Sequence, residues 1–169
     1  MSLAQQIKEM IVIFELYMNK ELLTADISPG IGIAALKIGD HFTNFEKEIM
    51  QSEKNLRRFN NWKKKPVNAI LPFEIFSGQI KLFFRTDTMT LCEIHIYKYE
   101  RTIFGNHYFG RLVNLEDLNP ELYHDFDHED IVLFKEHSGI GLLLDRSEEK
   151  LIFNGISIFD PNEIVAFPE

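Results

Sequence analysis

Residues 90–99, Thr-Leu-Cys-Glu-Ile-His-Ile-Tyr-Lys-Tyr, decide the fold. Cys92, Ile94, Ile96 and Lys98 alternate with Leu91, Glu93, His95 and Tyr97, the two-residue period of a β-strand. One set is apolar and the other mixed, which is the pattern of an antiparallel sheet covered mainly on one face. Upstream, residues 79–85 (QIKLFFR) read as a partner strand joined through Thr86-Asp87-Thr88. Downstream, residues 131–135 (IVLFK), 139–144 (GIGLLL) and 151–159 (LIFNGISIF) add three strands, and the polar run 145–150 (DRSEEK) makes a hairpin of the last two. Residues 103–113 (IFGNHYFGRLV) read as a further strand and turn.

Outside this β region the period changes. Leu3, Ile7, Met10, Ile11, Phe14, Met18 and Leu22 recur at three- and four-residue steps, predicting a helix over 2–23 with Ser2 as its cap. Ser28-Pro29-Gly30 is a turn, and Ile31-Gly32-Ile33 and Leu36-Lys37-Ile38 are short strand segments closed by Gly39-Asp40. Thr43 or Asn44 is expected to cap a second helix with Phe45 and Ile49 inward. Asn114 is expected to cap a short helical stretch, 115–118, that ends near Pro120. The expected fold class is α+β: a mixed or antiparallel sheet of about six strands, with an N-terminal helix and one or two shorter helices packed on it. One domain is expected over 1–169, with the helix in 1–23, turn, strand and helix in 24–66, and mainly β in 67–169. Gly32–Glu46 and Gly105–Glu116 share a loose order of turn, strand, turn and capped helix, too few copies for a repeat architecture.

Charge narrows the partners. The chain has 169 residues, with 26 acidic against 18 basic, and a net charge of −8. Such a field repels nucleic acid and anionic membranes and favours basic partners. Residues 54–65 (KNLRRFNNWKKK) run against it, with six Lys or Arg and no acid. Phe59 and Trp62 interleave with these charges as in single-strand binders, but the acidic remainder favours a solvated helix end and exposed loop that stops at Pro66, with no nucleic-acid binding. Cys92 is the single cysteine, which excludes an intramolecular disulfide and a Cys-rich zinc site; its apolar neighbours predict a buried strand thiol. Residues 10–18 are apolar but short of the ~20 residues of a membrane span, and Glu15 interrupts them without a following cleavage site. A soluble, cytoplasmic protein is expected.

The densest polar cluster is 123–130, Tyr-His-Asp-Phe-Asp-His-Glu-Asp, within a stretch 116–130 that holds seven acids and no Lys or Arg. One reading is a metal-dependent hydrolase built on His124, Asp125, Asp127 and His128. The spacing lacks HExxH and the EF-hand pattern, and the chain has no GxSxG, GxxxxGK[ST] or strand–GxGxxG–helix motif. His41, His95, His107 and His137 stand singly, with no evident Ser or Cys partner. No catalytic residue, metal or cofactor is therefore expected. The other reading is docking: Asp125, Asp127, Glu129 and Asp130 steer a basic protein, and Tyr123 and Phe126 anchor it.

Two segments bear on that choice. Residues 28–39, Ser-Pro-Gly-Ile-Gly-Ile-Ala-Ala-Leu-Lys-Ile-Gly, resemble the PGxGIGxxxLG opening of small bacterial proteins found beside polymorphic and contact-dependent growth inhibition toxins. Residues 99–116 (YERTIFGNHYFGRLVNLE) resemble that family's middle hairpin, Asp125–Asp130 its acidic YDDxDE stretch, and Gly139–Phe159 its closing hairpin. Gly110 falls one position off the family spacing, Ala34-Ala35 replaces a common glycine, and the helix over 2–23 is an addition. The resemblance implies an immunity-type protein: a non-enzymatic cytosolic binder that covers the active site of a cognate toxin C-terminal domain. It brings no fixed set of binding residues. The toxin's contact surface is expected to be basic, as in a nuclease, whose substrate groove is cationic.

Overall fold

The structure is a computed structural model that describes residues 5, 22–66, 69–100, 118–126, 129–134, 137–147 and 150–163; at 119–126, 129–130, 145–147, 150–151 and 163 it describes the backbone alone. Three short strands, β1 (Ile27–Ser28), β2 (Gly32–Ile33) and β3 (Leu36–Lys37), form a small antiparallel sheet. Two helices follow, α1 (Glu46–Ile49) and α2 (Glu53–Lys64). Seven strands then build the main sheet: β4 (Ile70–Ile75), β5 (Ile80–Arg85), β6 (Leu91–Tyr97), β7 (Leu118–Phe126), β8 (Glu129–Phe134), β9 (Ile140–Ser147) and β10 (Lys150–Phe159). Their order is β4-β5-β6-β10-β9-β8-β7, and every neighbouring pair is antiparallel. The fold is thus α+β, as the periodicity predicts. Gln5 and Leu22–Thr24 of the expected N-terminal helical region are helical; the rest of 2–21 and the segment 103–113 lie outside the described residues.

The small sheet meets the main one through two glycines. Gly30 N–H donates to Gly139 C=O at 3.0 Å, at the start of β9. Both residues have positive φ, and a Cβ on Gly139 would stand 2.5 Å from the Gly30 backbone. A side chain at Gly139 would push the small sheet off β9, whereas one at Gly30 would meet the Pro161 ring at 3.0 Å.

The main core lies on one face of the sheet. Phe42, just ahead of α1, stacks on Phe59 of α2 at 5.1 Å and contacts Phe73 and Phe84 at 5.4 Å each. Such aromatic pairs add about 0.5–1.5 kcal/mol each beyond simple burial. Ile49, Phe59, Leu82, Ile94, Ile96, Leu142, Ile156 and Ile158 belong to the same cluster. The helix starts differ in detail from expectation. His41 caps the 3-10 turn Phe42–Asn44 by accepting from Thr43 N–H, and α1 follows from Phe45 with no side-chain cap. α2 takes in nearly the whole basic block as helix, where a helix end and loop were expected; Ser52 caps it and Pro66 follows its end.

Two bulges decide which residues reach that core. In β6, Phe83 opposes Glu93 and Phe84 opposes Leu91, so Cys92 is the extra residue. Strict alternation groups Cys92 with Ile94 and Ile96; the bulge puts Leu91 there instead, and the buried Cys92 thiol lies 3.2 Å from Phe83 C=O. In β10 the register shifts between Phe153 and Gly155, leaving Asn154 extra. Phe153, Ile156 and Ile158 therefore share the core face, while positions 155, 157 and 159 share the other.

The seventh strand is the main departure from the sequence reading. Leu118–Phe126, expected as a helix end followed by a solvated loop, forms β7 at the sheet's edge. Its register slips between Asn119 and Tyr123, opposite adjacent residues Leu133 and Val132, so the stretch with Pro120 bulges out of the ladder. An edge strand tolerates proline because its lost N–H faces away from the neighbouring strand.

Candidate functional site

The acidic hairpin closes one end of the sheet. Tyr123 opposes Val132, His124 opposes Ile131, Asp125 opposes Asp130 and Phe126 opposes Glu129. Directly opposed residues share a face. Val132 belongs to the main core and Ile131 to the smaller cluster on the other face. The register therefore assigns positions 123, 125 and 130 to the core face and 124, 126 and 129 to the opposite one. The six sequence-predicted contact positions do not form one patch: Tyr123, Asp125 and Asp130 are separated from Phe126 and Glu129 by the thickness of the sheet, and Asp127 lies outside the described residues. What unites them is the hairpin end itself.

The same register bears on the metal reading. His124 and Asp125 are adjacent in a strand and occupy opposite faces, which strand alternation does not turn toward one ion. His128 lies outside the described residues. Among the described residues no group of three or more His, Cys, Asp and Glu gathers where a metal would sit.

A second polar cluster, which the sequence reading missed, lies mid-sheet on the face away from the main core. His95 Nε2 stands 2.6 Å from Glu93 Oε1, and the Ser157 hydroxyl donates to the same oxygen. His95 and Ser157 are fully buried and Glu93 is 2% exposed, on a face whose mixed composition suggests partial exposure to water. The His95 ring packs 4.5 Å from Phe83, and Lys81 sits opposite His95 on β5 with its Nζ 5.3 Å from the centre of the Tyr97 ring. The signal available in sequence was the spacing Glu93-x-His95, two polar residues on one face of a strand. Their third partner, Ser157, is brought in only by the pairing of β10 with β6, which sets Ser157 opposite His95. In a hydrolytic triad the imidazole bridges hydroxyl and carboxylate. Here the carboxylate bridges imidazole and hydroxyl, so the histidine is not set to take the serine proton. The cluster instead ties β6 to β10 across the middle of the sheet.

The basic helix is partly used within the fold. Lys54 pairs with Glu74 at 2.7 Å, Arg58 Nη1 donates to Pro72 C=O at 2.5 Å, and Lys63 Nζ lies 4.5 Å from the centre of the Phe59 ring. Trp62 is half-buried beside Phe59. Buried Asn55 has the most exacting role. Its Nδ2 donates to Ile49 C=O at 2.9 Å and to Glu74 C=O at 2.6 Å, and its Oδ1 accepts from Glu74 N–H at 3.1 Å. Asn55 thus reads the main chain of β4 as another strand would.

No family model, curated protein or solved structure matches this chain. No helix among the described residues is long and apolar enough to cross a membrane.

Proposed function

We propose that this chain is an immunity-type protein, a non-enzymatic binder that neutralises a cognate bacterial toxin domain in the cytosol by covering its active site. The observation that carries the reading is the acidic β7–β8 hairpin at the edge of the sheet. It concentrates carboxylates of the 116–130 stretch at one end of a molecule whose net charge is −8. A basic toxin groove is drawn to such a surface at long range, and complementary charge fixes its orientation. The family resemblance of residues 28–39 and 139–159 supports the same reading; in the fold those two segments meet at Gly30 and Gly139.

The test is co-expression with the toxin domain encoded immediately upstream of this chain's gene. Cells carrying both are expected to grow, and cells carrying the toxin alone to stop. Growth arrest despite soluble expression of this chain rejects the proposal. Purified partners are expected to bury roughly 1,600 Å² and to bind at nanomolar Kd or tighter.

A further inference from the structure

We propose that Asn154-Gly155, at the bulge of β10, is a site of spontaneous deamidation, and that its isoaspartyl product loosens β10 from the strands on either side. This chemistry does not depend on toxin binding. Asparagine is among the thermolabile side chains, and Asn154-Gly155 is the one Asn-Gly pair in the chain; every other asparagine precedes a residue with a side chain. A following glycine leaves its amide nitrogen uncrowded and its backbone free to turn toward the asparagine side chain.

The reaction needs only water. The Gly155 amide nitrogen loses its proton and attacks Asn154 Cγ; the Cγ–Nδ2 bond breaks and ammonia leaves. Water then opens the cyclic imide at either carbonyl. Attack at Cγ gives aspartate. Attack at the main-chain carbonyl leaves Gly155 joined through Cγ, an isoaspartate whose main chain has gained a methylene.

The pair lies where the sheet is interrupted. On the β9 side Phe153 opposes Leu144 and Gly155 opposes Leu143, so Asn154 has no residue of its own across from it. On the β6 side the last ladder pair is Gly155 with Tyr97, and β6 ends at Lys98, whose φ is +55° and whose N–H donates to Asn154 C=O at 3.2 Å. Ladder pairs on both sides hold a strand residue extended, with its side chain standing clear of the next amide. The bulge residue lacks that hold toward β9. Asn154 is half-buried, so water reaches the imide.

The same geometry makes the product matter. A Cβ on Gly155 would stand 2.5 Å from the Ile96 carbonyl oxygen and 3.1 Å from the Leu143 side chain. β10 is thus pressed between its neighbours immediately after the bulge, and an added main-chain methylene has to shift Phe153 or Gly155. Ile156 and Ile158 follow in the core, and Ser157 follows on Glu93. Aspartate keeps the main-chain length and with it the register.

The test holds the full chain at neutral and at mildly alkaline pH. Tandem mass spectrometry of the tryptic peptide 151–169 reads the position, and an isoaspartyl methyltransferase reads isoaspartate. Conversion is expected at Asn154, faster at the higher pH because the attacking amide must shed its proton, and the isoaspartyl signal is expected to be lost in Asn154→Gln. The fraction carrying isoaspartate, resolved by anion exchange, is expected to unfold at lower urea and to exchange β9 and β10 amides faster, while Asn154→Asp stays close to the parent. An Asn154 that stays intact in the native chain, whether or not it converts in urea, overturns the proposal. Isoaspartate at 154 with an unchanged urea midpoint overturns the effect on β10.

Discussion

At one edge of the sheet, β4 lies beneath α2, and a buried asparagine, an arginine and a proline account for its outward main chain. At the other edge, about 29 Å away across seven strands, β7 carries an acidic run and a proline bulge, with β8 as its sole strand partner among the described residues. Among the described residues, one edge is thus closed by side-chain hydrogen bonds and the other is marked by its acidic sequence. Hydrogen-bonded closure is permanent, because opening it leaves buried polar groups unsatisfied. Charge repels like edges.

The largest way to break this contrast is at Asn55. Asn55→Asp keeps the shape but sets a carboxylate oxygen against the carbonyls of Ile49 and Glu74, and is expected to cost about 3–5 kcal/mol in urea unfolding. Asn55→Ala is expected to cost about 2–3 kcal/mol and to promote association through the uncovered β4 edge, seen as concentration-dependent sedimentation. A silent Asn55→Ala variant would mean that β4 is not closed by this residue.

Ser157→Ala sharpens the comparison from the centre. The hydroxyl bridges β10 to β6, the joint between the two halves of the sheet. Its loss is expected to cost about 1–2 kcal/mol and to speed amide exchange in β5 and β9 together. Speeding confined to one half would show that the halves open independently. A smaller loss, about 1 kcal/mol, is expected for Arg58→Ala, since a partly buried carbonyl then turns to water.

The smallest effect has the opposite sign. Asp130→Asn relieves the like-charge pair with Asp125 and is expected to stabilise the hairpin by about 0.2–0.5 kcal/mol, a gain that fades as salt is added. If the proposed toxin domain is the partner, neutralising Asp125, Asp127, Glu129 and Asp130 together is expected to slow association with it and to flatten its salt dependence, measured by stopped-flow. An unchanged on-rate at low salt would place binding elsewhere. The basic helix supplies a control: the intact chain is expected to show no DNA or RNA binding at physiological salt in an anisotropy titration. Binding abolished by removing Lys63, Lys64 and Lys65 would reverse the roles of the two edges.

Much of the sheet was legible in residue alternation. The segments 79–85, 131–135, 139–144 and 151–159 correspond to β5, β8, β9 and β10 within a residue or two, except that β9 and the hairpin strands run further toward their turn. β7 was hidden because its proline and its run of acids are loop signals in isolation; strand form there comes from pairing with β8. The candidate contact residues were found as a cluster but read as one patch. Only the register reveals that they divide between two faces. Glu93 and His95 were visible as neighbours on one strand face, yet Ser157 lies 64 residues from Glu93 and no local pattern links them.

The amino-acid sequence by itself determined the class of fold, the acidic balance, the buried cysteine and the run of carboxylates at 116–130, because period, charge and hydrophobicity are local properties. Tertiary structure alone decided which residues share a face. The bulges at Cys92 and Asn154 reset the alternation of β6 and β10, and a bulge exists only relative to the strand beside it. Edge and centre are likewise properties of the assembled sheet. Asn55 becomes the closure of an edge, and Asp125 and Asp130 become a facing pair, only once the strands have found their order.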